Sequence, residues 1–68
     1  GIKMYNVYIK KQNAYNPDLV GEYTTINEAI KVATDLKAKD DTISYTIEET
    51  SGHFDSYGEP LTTIVRRG

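Results

Sequence analysis

Thr25-Ile26-Asn27-Glu28 constrains this chain more than any other stretch. Thr25 and Glu28 stand in S/T-x-x-E order, the spacing at which each side chain satisfies a free backbone N–H in a helix's first turn. Beyond this cap, Ile26, Ala29, Ile30, Ala33 and Leu36 recur every three or four residues and so line one face. Asn27, Lys31, Thr34 and Asp35 fall on the opposite side. Lys37 and Lys39 lie where cations complement the negative end of the helix dipole. The spacing predicts one helix over residues 26–39. Such a helix must bury its apolar stripe against something else, and a sheet is the available partner.

The flanks supply that sheet. From Lys3 to Lys11, Tyr5, Val7 and Ile9 alternate with Met4, Asn6, Tyr8 and Lys10, the period of a half-buried strand. Asn16, Pro17 and Asp18 carry turn chemistry, and Leu19 to Thr24 reads as a second strand weakened by Gly21. Asp40-Asp41 ends the helical pattern. Thr42 to Glu49 alternates again, with Ile43, Tyr45 and Ile47 opposed to Thr42, Ser44, Thr46 and Glu48. Ser51 to Glu59 reads as a loop. Leu61 to Arg67 is a final strand whose parity stays open, because Leu61, Thr63 and Val65 compete with Ile64. The expectation is a two-layer α+β domain of order ββαββ: one helix on a mixed four-stranded sheet, with the second strand the weakest element. A three-stranded βαββ sheet is the alternative. The order of elements, with the helix start at Tyr23-Thr24-Thr25-Ile26-Asn27-Glu28-Ala29, resembles the β-grasp layout of ubiquitin and of bacterial immunoglobulin-binding domains. That resemblance implies a third strand at the sheet edge and carries over no binding residue.

Sixty-eight residues make one domain, 1–68, and a chain this short buries only about 60% of its unfolded surface. Gly1-Ile2-Lys3 precede Met4 and are either an expression remnant or native sequence; no function is placed on them. There is no cysteine, so disulfides and cysteine-ligated metals are excluded. Ten acids against eight bases leave a net charge of −2, which disfavours a dedicated nucleic-acid binder. No apolar run approaches the roughly 20 residues of a membrane span, so a cytoplasmic protein is expected.

Catalytic residue types occur only around His53. His53 with Asp55 and Ser51 or Ser56 has the types of a base, an orienting acid and a nucleophile, and His53, Asp55 and Glu59 are possible metal ligands. Neither spacing matches a known signature. The segment reads as a polar hairpin loop, and the chain as non-enzymatic without cofactor or metal. Charge placement gathers Lys10, Lys11, Lys37, Lys39, Arg66 and Arg67 at one end, which offers a nucleic-acid accessory role as the alternative function. The leading expectation is a protein-interaction module, self-associating or binding another protein. It would use the charge-free strand within residues 42–49 as a sheet edge, or the sheet face the helix leaves open. Met4, Tyr8, Tyr45 and Ile64 are the candidate contact residues.

Overall fold

The computed structural model describes residues 3–54 and 60–68, and for residues 51–54, 60 and 61 the backbone course alone. Five elements follow in chain order: β1 (Met4–Lys10), β2 (Asp18–Tyr23), α1 (Ile26–Lys39), β3 (Ser44–Phe54) and β4 (Pro60–Arg67). The helix begins where the cap predicts, with Thr25 in extended backbone and its hydroxyl accepting the Glu28 N–H at 3.2 Å. It ends at Asp40, whose N–H reaches back to the Leu36 carbonyl. The second strand forms in spite of Gly21. A methyl group there would lie 2.9 Å from the Tyr23 hydroxyl oxygen, so the glycine makes room for a tyrosine ring two residues along the same strand.

The two-layer ββαββ architecture is present, one helix on four strands, and its pairing corrects two expectations. The sheet order is β2-β1-β3-β4 and every pairing is antiparallel, so the sheet is not mixed. β3 is therefore an interior strand, paired with β1 along Met4↔Thr50 to Lys10↔Ser44 and with β4 on its other side. The β-grasp layout, with its third strand at an edge, does not hold. The reason lies in the helix exit. Asp40 turns the chain by accepting the Thr42 N–H at 3.1 Å and the Thr42 hydroxyl, while the Lys37 ammonium donates to the Ile43 carbonyl. That clamp sets β3 down directly beside β1. The central position also buries the strand with the strongest apolar stripe, and β4, which carries Thr62, Thr63 and two arginines, tolerates the margin. Residues 51–54 of the expected loop over 51–59 are instead strand, since β3 runs on to Phe54, which pairs with Pro60.

The core is small. Val7, Ala29, Ala33 and Ile47 are wholly buried and Ile43 and Tyr45 nearly so, with Tyr5, Ile9, Tyr23, Ile30 and Val65 packed around them. Alanine at 29 and 33 lets the helix backbone approach Val7 and Ile47 closely. α1 touches β1, β3 and β2, and among the described residues it makes no comparable contact with β4. Val65 turns inward and Ile64 outward, which resolves the parity of the last strand for these two residues.

At the β4 margin, Tyr45 takes over the helix's role. Its N–H and carbonyl exchange hydrogen bonds of 2.9 and 3.1 Å with Gly68, its ring lies over that glycine, and its hydroxyl accepts from Arg66 Nε at 3.1 Å.

Two outcomes follow for stability. Ile47→Ala should cost about 2–5 kcal/mol in urea unfolding, a large part of the ~5–15 kcal/mol available to a domain, whereas Ile64→Ala on the other face should cost far less. Gly68→Ala would drive a methyl into the buried Tyr45 ring and should lower the melting temperature clearly. Gly21→Ala meets only the movable tip of Tyr23 and should be nearly neutral, helped by a stiffer unfolded chain.

Candidate interaction surface

Strand alternation assigns the two faces of the sheet. Tyr5, Val7, Ile9, Tyr45 and Ile47 face the helix, so the intervening residues form the open face. Lys10 and Ser44 share the uppermost cross-strand row of this face. Leu19, Tyr8, Thr46 and Arg67 share the next. Glu22, Asn6, Glu48 and Ile64 make the third, and Met4, Thr50 and Thr62 the last. Leu19 and Ile64 are exposed to 52% and 44%, while Tyr8 and Met4 are half-buried. A shallow cavity of about 380 Å³ opens here, lined by Tyr8, Pro17, Thr46, Glu48 and Ile64.

Of the residues singled out from the sequence, Met4, Tyr8 and Ile64 share this face. Tyr45 does not. It lies on the helix side, 6% exposed, and serves the core. Leu19 and Pro17 were not anticipated. The alternation that would have marked Leu19 is broken by a register shift in which Val20 has no partner on β1.

The sheet margins have a different chemistry. With β3 in the interior, its uncharged residues Tyr45 to Ile47 are paired on both sides, with β1 on one and with Gly68 and β4 on the other. The margins are β2 and β4, and both carry obstacles to strand addition. β2 is preceded by Pro17, holds the Val20 irregularity and bears Asp18 and Glu22. β4 opens on Pro60, has an unpartnered Val65 between Ile64 and Arg66, and closes on two arginines.

The open face is electrically polarised along the strands. Glu22 and Glu48 flank Asn6 in one row, and Asn6 Oδ1 is buried with no hydrogen-bond partner among the described residues. Lys10 stands four residues away, about 13 Å along β1. Among the described residues the one ion pair is Lys3 with Glu49, at 3.7 Å. Lys10, Glu22 and Glu48 thus lack a salt-bridge partner within that set.

The strand directions also bring Lys10 and Lys11, the last turn of α1 and Arg66-Arg67 to one end of the molecule. Asp18, Asp40 and Asp41 are interleaved with them. Lys37 is engaged by the Ile43 carbonyl, and the Asp40 carboxylate lines the cavity of about 420 Å³ at this end beside Lys11 and Thr42. An acid inside the concavity opposes phosphate binding. Tyr15, 98% exposed on the β1–β2 loop, is the kind of aromatic that could stack on a base at this end.

His53 belongs to the backbone course of β3, while Asp55, Ser56 and Glu59 lie outside the described residues, as do Gly1 and Ile2 of the leading tripeptide. Among the described residues no group of three or more His, Asp or Glu is placed to hold a metal ion, and no helix is long and apolar enough to cross a membrane.

Asp40 gives a pH-dependent readout of the clamp. The Thr42 hydroxyl and then the Thr42 N–H hold its carboxyl below the ordinary value of 3.8, assisted by the Lys11 and Lys37 charges. A depressed folded-state value adds stability above pH 3.8 that is lost as pH falls through the folded value. Urea midpoints measured from neutral pH downward should therefore fall below pH 3.8, and Asp40→Asn should remove part of that slope.

No family model matches this chain, and no curated protein or solved structure does so either.

Proposed function

We propose that this chain is a non-enzymatic protein-interaction module whose working surface is the open face of the sheet. The observation carrying this reading is the grouping of Tyr8, Ile64 and Pro17 around a shallow cavity on the face opposite the helix, with Leu19 exposed beside Tyr8. Exposed apolar side chains clustered with a tyrosine suit a protein contact, since tyrosine joins an apolar body to a polar tip. The obstacles on both margins favour a face over an edge. The third strand offers no free edge as a contact surface, because it is interior.

The nucleic-acid alternative rests on the basic end alone. Its interleaved aspartates and the net charge of −2 weigh against it.

The test is a photo-crosslinking amino acid placed singly at position 8, at position 64 and, as control, at Glu28 on the outer side of α1. Adducts in cells should form from positions 8 and 64 and be weak from 28. Equal yields from all three positions would overturn the reading.

A further inference from the structure

We infer that the occupant of the open face is a second copy of this chain, stacked sheet on sheet with its strands reversed. The inference rests on the functional reading above and adds the identity of the partner. Its basis is charge complementarity within a single face. Lys10 stands at one end and the Glu22–Asn6–Glu48 row towards the other, with Tyr8 on the strand between them. A two-fold axis lying in the plane between two sheets and crossing the strands near Tyr8 reverses this polarity in the second copy. Each Lys10 then lies over the other copy's Asn6, between Glu22 and Glu48. Both acids gain a cation that neither has among the described residues of one chain. Tyr8 approaches its own counterpart at the axis, with Leu19 beside it, and Ile64 lies one row away.

The alternatives fit less well. The same stacking without reversal sets Lys10 over Lys10 and the acidic row over itself, a repulsive arrangement. Growth through β2 or β4 meets a proline, an irregular register and like charges. Arg67 is the one charged residue of the Tyr8 row, so reversal leaves it near its own copy, but it sits at the rim, where solvent and salt screen it. Facing sheets pack about 10 Å apart with strands within about 30° of one another, which the twist of an antiparallel sheet accommodates. A polar contact of this size is expected to be weak and to strengthen at low salt.

The experiment is sedimentation equilibrium over a wide concentration range, on the wild type and two charge variants. Lys10→Glu makes the face acidic, and Glu22→Lys with Glu48→Lys makes it basic. The wild type should dimerise, more tightly at low salt. Each variant alone should lose about ten-fold or more in dimer affinity, while an equimolar mixture of the two should recover a heterodimer. The circular dichroism melt of each variant checks that the fold is intact. A wild type that stays monomeric at the highest concentration, or variants that fail to associate on mixing, would sink the inference. The adduct masses from positions 8 and 64 separate the two claims. Adducts at twice the chain mass support the second copy, and adducts of another mass alone leave the face in use but overturn self-association.

Discussion

The close seating of α1 on the sheet is the contact on which everything else in this molecule depends. Two alanines, at 29 and 33, meet Val7 and Ile47 with no solvent between them. Small side chains on the helix and branched ones on the strands allow a short separation, and a thin core gains most from such closeness because it has few other atoms to pack. The crossover reaches from β2 over β1 to β3, so the helix spans the three strands that carry the buried stripe. The Asp40–Thr42 turn and the Lys37 bond to Ile43 fix where that crossover lands. Had β3 landed at the margin, Tyr45 and Ile47 would have been covered less fully, and the alanine face would have met a less apolar strand.

Much of this was legible from residues alone, for an identifiable reason. The capping pair, the three- and four-residue spacing and the two-residue alternation are local signals, and each is set by chain geometry. They marked α1 at its observed bounds and put Tyr5, Val7, Ile9, Ile43, Tyr45 and Ile47 on the buried side. Strand order is not a local property. Nothing within Thr42–Glu49 distinguishes an interior strand from a marginal one, and the uncharged stretch there suits both, as a sticky edge or as a strand paired on each side. The surface was half legible for the same reason. Met4, Tyr8 and Ile64 follow from parity, whereas Leu19 is hidden by the irregularity at Val20, and Tyr45 belongs to the core, as its place in the apolar stripe implied.

The sheet is wider than the helix that covers it. One helix is about 10 Å across, and four strands at about 4.8 Å spacing are wider than that. Two tyrosine–glycine pairs extend the cover. Tyr23 leans over Gly21 within β2, and Tyr45 reaches across to Gly68 beyond β4. Glycine at 68 is a packing requirement, because a side chain there would occupy the space of the Tyr45 ring, whereas at 21 the tip of Tyr23 can give way. Sheet margins that a second helix would otherwise cover are covered by phenol rings.

The sealed margins have a consequence for how far any assembly of this chain can extend. Strand-by-strand addition exposes a fresh edge each time and has no natural stopping point. Apposition of two faces about a two-fold axis uses up the surface that made it, and the outward sides of such a pair are helices. With Pro17 and Pro60 at its borders, a chain that paired through its open face would stop at two copies, and the uncharged β-prone residues of β3 that could propagate a fibre from an edge are held in the interior of the sheet.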